Sequence, residues 1–195
     1  MSHTFYEIVI APEYDTDALK ELKKKKNLRI LLTELPSKNA TAAGYLDFRR
    51  VKGGLLVQTS DSLDEGSVTL KTVTKRSPTE SELEDLKFAW QAVKHIKSNA
   101  IVLVKDKTLV GMGAGQPNRV VSVDIAKAKA GDKSKGSVMA SDAMFPFPDS
   151  VEQAAEGRIT AIIQPGGSIR DEDSIKTADK HNIAMVFTGI RHFLH

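Results

Sequence analysis

Cysteine is absent from the 195 residues. That absence excludes disulfides, thiol nucleophiles and every zinc site that needs a thiolate. Long apolar runs are missing too. Nothing nears the roughly 18 residues a membrane helix requires, and the opening MSHTFYEIVI has neither the basic nor the apolar region of a secretory signal. These absences predict a cytoplasmic protein without a membrane partner. A strong charge bias is also lacking. Lys and Arg number 28 against 25 Asp and Glu, a net charge of +3. This suits an anionic substrate but is not the dense basic face of a nucleic-acid binder, so no nucleic-acid partner is expected. The one long cationic run, Lys23 to Lys26, reads as the exposed last turn of a helix, where cations oppose the negative end of the macrodipole.

What is present is ordinary for a globular chain, with 41% hydrophobic and 27% charged residues. The length and the lack of an obvious linker predict one α/β domain with helices on a mixed sheet. Strands are expected at Phe5 to Ile10, Leu28 to Leu32, Leu55 to Gln58 and Val68 to Thr74, with a helix over Asp15 to Lys26. Thr33 to Gly53 shows no clean period and reads as an irregular excursion. The firmest helix begins near Pro78. Ser77 or Thr79 can cap it because Glu80 and Glu82 each follow three residues on, and Leu83, Leu86, Trp90, Val93 and Ile96 share one face. Ala100 to Val104 and Thr108 to Met112 read as a hairpin, and Val120 to Lys129 as a helix. Ser137 to Ala140 is a further strand, followed by a helix that Asp149 or Ser150 caps and that runs to Glu156. Ile159 to Ile163, Asp171 to His181 and Ala184 to Phe187 then make a β–α–β unit.

Glycine and proline concentrate in three loops after expected strands, where open α/β sheets bind ligands. Gly111 to Arg119 (GMGAGQPNR) leads into a helix and is either an anion-cradling loop or a tight structural turn. Gln116 takes the place of the third glycine of a dinucleotide fingerprint, and no phosphate-loop lysine follows. Ser141 to Asp149 holds Phe145 and Phe147 between prolines and two acids. It is either a stacking surface for a planar heterocycle or core filling. Gln164 to Asp171 can present backbone amides or simply turn the chain. Arg191 to His195 adds a guanidinium and imidazoles directly after a strand. His3, His95 and His181 form no ligand spacing with an acid, so no catalytic metal is expected.

The strings KRSPTESELEDLKFAW, VKHIKSNAIVLVKD, GMGAGQPNRV, ASDAMFPFPDS, IIQPGGSIRDED and VFTGIRHFLH closely resemble one family. They are similar to the C-terminal half of the AICAR transformylase domain of bifunctional purine-biosynthesis proteins, which also carry IMP cyclohydrolase. The resemblance covers essentially the whole chain and implies a cytidine-deaminase-like α/β fold. Residues 1–195 would be a single second subdomain, lacking the first subdomain and the cyclohydrolase. The zinc-deaminase signature is missing here as in that family.

The resemblance further implies formyl transfer from the co-substrate 10-formyltetrahydrofolate to AICAR. By position, Asn99 and His195 match catalytic residues, and Arg119, Arg191, Met144 and Phe145 match substrate-binding ones. Gln116, Pro146, Phe147 and Asp149 match the folate subsite. Met144 stands where the family usually has phenylalanine, and Pro117-Asn118 replaces a more usual pair. The family's Lys-His pair, in a K-H-x-N-P-C-G-like string, has no counterpart; Lys94-His95 aligns elsewhere. A half-enzyme that completes its active site with another polypeptide is therefore expected, its partners being a homo-oligomer and/or a separate polypeptide carrying the Lys-His half, and the alternative is a non-catalytic nucleotide- or folate-binding module for regulation or assembly.

Overall fold

The computed structural model describes residues 5–34, 46–61 and 68–194. Contacts divide the chain into two compact units, residues 1–62 and 63–195. The sequence reading places no division there; the polar stretch at the boundary, residues 62–67, lies outside the described residues.

In the first unit, strand β1 (Ile8–Ala11), helix α1 (Thr16–Lys23) and strand β2 (Arg29–Leu32) follow the expected order, and β1 pairs with β2 in parallel. Strand β3 (Leu46–Val51) and strand β4 (Gly54–Thr59) form an antiparallel hairpin. β3 falls inside the stretch expected to be irregular. Its alternation of Leu46, Phe48 and Arg50 with Asp47 and Arg49 is a strand pattern, and Lys52-Gly53, with Gly53 at φ 89°, makes the turn.

The second unit is a six-stranded mixed sheet in the order β5-β10-β9-β8-β6-β7. Its strands are β5 (Lys71–Thr72), β6 (Ile101–Lys105), β7 (Thr108–Gly113), β8 (Val138–Ser141), β9 (Ala161–Gln164) and β10 (Ala184–Phe187). β8, β9 and β10 are parallel, and the other pairings are antiparallel. β5 is much shorter than the Val68 to Thr74 run suggests. The central strands are apolar without alternation because both faces are covered. Val102, Val104, Ala140 and Ile163 meet Leu86, Trp90 and Val93 of helix α2 (Glu80–Val93) on one face. Ile101, Leu103, Met139 and Ile162 meet helices α3 (Arg119–Ala130), α4 (Asp149–Glu156) and α5 (Asp171–Lys180) on the other. The mixed α/β architecture with flanking helices is as the sequence implies.

Local chemistry explains the element ends. Thr79, not Ser77, caps α2: its hydroxyl accepts from the Glu82 N–H and the Glu82 carboxylate accepts from the Thr79 N–H. The β6–β7 turn puts Asp106 and Lys107 at positive φ, and buried Asp85 of α2 accepts from both of their N–H groups at 2.9 and 2.7 Å. α4 is entered differently from the expectation. Pro148 occupies the cap, and Asp149 lies in the first turn, accepting from the Ser150 N–H.

Candidate active site

Strand directions decide where the loops go. β8, β9 and β10 run parallel, so Ser141, Gln164 and Phe187 end at one edge of the sheet. β6 opposes β8 and β7 opposes β6, which brings the start of β6 and the end of β7 to the same edge. The three glycine- and proline-rich loops, the Ser98-Asn99 pair and the segment after β10 therefore converge there.

A buried polar network ties them together. Arg119, 5% exposed, pairs with the carboxylate of Asp142, which is fully buried. The same guanidinium donates to Asn99 Oδ1 at 2.7 Å and to Ser141 Oγ at 3.0 Å. Asn99 Nδ2 in turn donates to the Gln116 carbonyl at 2.8 Å, and Ser122 Oγ donates to the Asn99 carbonyl at 2.8 Å. Both ends of the Asn99 amide are thus held in a fixed sense. A buried pair of this kind is costly to break, because removing one partner leaves the other charge uncompensated.

Asp142 also pins the C-terminal segment. Its carbonyl accepts from the His192 N–H at 2.9 Å, and its carboxylate accepts from the Ser98 hydroxyl. Ser98 then exchanges bonds with Leu194, whose N–H donates to Ser98 Oγ at 3.2 Å while its carbonyl accepts from the Ser98 N–H at 2.9 Å. His192 is buried, its ring 4.4 Å from that of Trp90 on α2. Arg191, one residue earlier, is exposed, with Nη2 3.4 Å from Met144 Sδ and close to Gly167. The edge therefore presents the fixed Asn99 amide and the accessible Arg191 guanidinium, a pairing suited to orienting a polar heterocycle that carries an anionic group.

Residues 1–129 match the family described as the AICARFT/IMPCHase bienzyme. The chain belongs to that family. Curated relatives named bifunctional purine biosynthesis protein PurH, from Bacillus anthracis and from Bacillus cereus strain B4264, are each 58% identical over 191 residues. The match takes in 98% of this chain and 37% of each PurH sequence, so the chain spans little more than a third of their length. Among solved structures, Acinetobacter baumannii RibD overlaps 52% of the chain and 34% of its own, with TM-score 0.40 and 16% identity. The dCMP deaminase of cyanophage S-TIM5 overlaps 56% of the chain and 98% of its own, with TM-score 0.39 and 15% identity. These overlaps are too shallow to bear on the site.

The AICARFT/IMPCHase residues singled out in the sequence fare differently from one another in space. Asn99, Gln116, Arg119, Met144 and Arg191 meet at the edge just described. Phe145 is fully buried in the core beside Val151 and Ile162, so it fills the interior and offers no stacking face. Pro146 and Phe147 are exposed, and the Arg170 guanidinium lies 5.0 Å from the Phe147 ring centre. Asp149 is half-buried at the start of α4. His195 lies outside the described residues. His95 sits just beyond α2, exposed. Among the described residues no cluster of three metal-ligating side chains occurs.

Two loops use their special backbone structurally. Gly111 and Gly113 lie in β7, where an added Cβ would come within 2.2 Å of the Ala126 carbonyl oxygen and 2.0 Å of that of Ser122. Their bareness lets α3 lie directly on the sheet. In the third loop, the Gly166, Gly167 and Arg170 N–H groups are taken by Gln164, Asp171 and Ser168 side chains. Ser98, Asp142 and His192 went unassigned in the sequence. Asp142 figured only as an acid beside the Phe-Pro run, and their shared signal is adjacency to Asn99, Ser141 and Arg191.

Proposed function

We propose that this chain carries one half of an AICAR formyltransferase site of purine biosynthesis, in the cytoplasm, using 10-formyltetrahydrofolate as co-substrate. The observation that carries the reading is the convergence of Asn99, Arg119 and Arg191 at one sheet edge in a member of the AICARFT/IMPCHase family. AICAR offers a weakly nucleophilic amine next to a carboxamide, and a phosphate at its far end. An amide held from both sides, as Asn99 is, orients such a group without reorganising. Arg191 is free to grip the phosphate, and Arg119 is not. Arg119 acts by setting the direction of the Asn99 amide. Phe147 with Arg170, together with Pro146 and Asp149, borders the region assigned to the folate, and His195 is assigned to catalysis by family position.

Formyl transfer also needs a proton removed from the amine and one delivered to the leaving folate nitrogen. The Lys-His string that would do this is absent from these residues, so the site takes its proton-transfer groups from a polypeptide that carries that string.

In the completed enzyme Arg191→Ala should weaken AICAR binding about ten- to a hundredfold, since a hydrogen bond to a charged group contributes about 1.5–3 kcal/mol. Titration calorimetry reads this directly. Unchanged affinity would remove the nucleotide from this edge.

A further inference from the structure

In the run from Ser141 to Phe145, Met144 is the one residue that is not buried. Ser141, Asp142 and Ala143 before it and Phe145 after it are enclosed, so the backbone on both sides of Met144 is held in place. Arg191 Nη2 donates to Met144 Sδ at 3.4 Å, and the guanidinium lies close to bare Gly167. Arg76 and Arg119 spend their charges on Glu82 and Asp142, whereas Arg191 has no carboxylate partner among the described residues. A thioether sulfur is a weak acceptor. It holds the guanidinium in one place and yields it readily to a stronger acceptor such as phosphate. The other methionines are placed differently. Met139 and Met185 are fully buried, and Met185 Sδ accepts from the neutral amide of Gln164 at 3.6 Å. Met112 is exposed on β7, and Met1 lies outside the described residues. Among the described residues, Met144 alone offers its sulfur to a charged side chain.

We propose that Met144 is an oxidation site that gates Arg191: a peroxide converts its thioether to the sulfoxide, whose oxygen takes the Arg191 N–H groups that otherwise meet the substrate phosphate. In that step a sulfur lone pair attacks one peroxide oxygen, the S–O bond forms and the O–O bond breaks. The second oxygen leaves as water after a proton passes to it. Sulfur loses two electrons and the peroxide gains them. Oxidation turns an apolar, weakly accepting side chain into a polar one with a strong acceptor oxygen. With the sulfur already bonded to Nη2, the new oxygen reaches the guanidinium without any backbone movement. Methionine sulfoxide reductases reverse the change, so the gate reopens. The inference rests on the reading of Arg191 as the phosphate grip.

The test exposes the full chain to hydrogen peroxide and locates the added oxygen by peptide mass spectrometry. Met144 should react at least about tenfold faster than buried Met139 and Met185. AICAR affinity is then measured by titration calorimetry in the completed enzyme, before and after the treatment. The oxidised protein should bind AICAR about tenfold more weakly, and methionine sulfoxide reductase should restore the affinity. Met144→Leu keeps the volume but has no sulfur, so peroxide should cause it no further loss. Met112→Leu should show the full loss of the parent. Oxidation of Met144 that leaves AICAR affinity unchanged, while Arg191→Ala still weakens it, would overturn the gate and spare the half-site reading. Peroxide sensitivity that survives Met144→Leu would overturn the gate, as would a Met144 no more reactive than the buried methionines. Unchanged affinity in Arg191→Ala would overturn both.

Discussion

Arg119 and Arg191 carry the same charge at the same sheet edge, and burial separates their roles. Arg119 is enclosed with Asp142, so its guanidinium is spent within the protein; Arg191 is exposed beside Met144. Arg119→Met should therefore destabilise the fold by about 3–5 kcal/mol, because it leaves Asp142 charged, buried and unpaired. Chemical denaturation of residues 63–195 checks this, and a loss below about 1 kcal/mol would mean the pair is not buried in solution. Sequence alone identified the arginines but could not rank them, since burial depends on the strand order that brings Asp142 beside Ala100. The same limit explains Phe145, one residue after Met144 and in the core. It explains the C-terminal segment as well. Apolar Phe193 is 43% exposed, and His192 takes the buried place against Trp90.

Elements whose signals are local were legible. The capping box of α2, the β6–β7 hairpin and the final β–α–β unit are set by neighbours within a few residues; the last two appear where the sequence puts them, and the cap is Thr79, one of the two residues the sequence offers. β3 alternates legibly only over Leu46 to Arg49, too short a run to stand out before Arg50 breaks it, and pairing with β4 establishes the strand. The close approach of α3 to β7 was hidden for a similar reason: a glycine does not announce which carbonyl it admits. Gly113→Ala should cost at least about 3 kcal/mol, at the upper end for overpacking, because the new methyl meets helix backbone that has no flexible atom to yield. A melting temperature within a degree or two of the parent would contradict that contact.

The entry to α2 makes a pH-dependent prediction. Burial pushes the Glu82 carboxyl up, but bonds from Arg76, Thr160 and the Thr79 N–H, with the Arg76 charge, bring it down from 4.5 to about 2. Because the folded value is the lower one, its stabilisation is complete above the unfolded value and is lost as pH falls towards 2. Solvent screening of this partly exposed pair keeps that contribution to about 1–2 kcal/mol. Glu82→Gln should therefore flatten the stability profile between about pH 5 and pH 2 relative to the parent. Parallel profiles for the two proteins would show that Glu82 does not carry this dependence.

At the scale of the whole molecule, the two units differ in kind. Residues 63–195 contain both apolar cores, whereas among the described residues of the first unit no side chain is buried. Removing residues 1–62 should leave the cooperative melting of the remainder within a few degrees of the full chain, followed by circular dichroism. The converging site lies wholly within the second unit, and the Lys-His string is missing from both. The most direct measurement is formyl transfer itself, assayed with AICAR and 10-formyltetrahydrofolate for the full chain alone and after co-expression with the unmatched part of a PurH relative. A half-site gives negligible product alone and turnover in the complex, and that turnover falls when Asn99 is replaced by alanine. Robust turnover by the chain alone, surviving His195→Ala and Asn99→Ala, would contradict it.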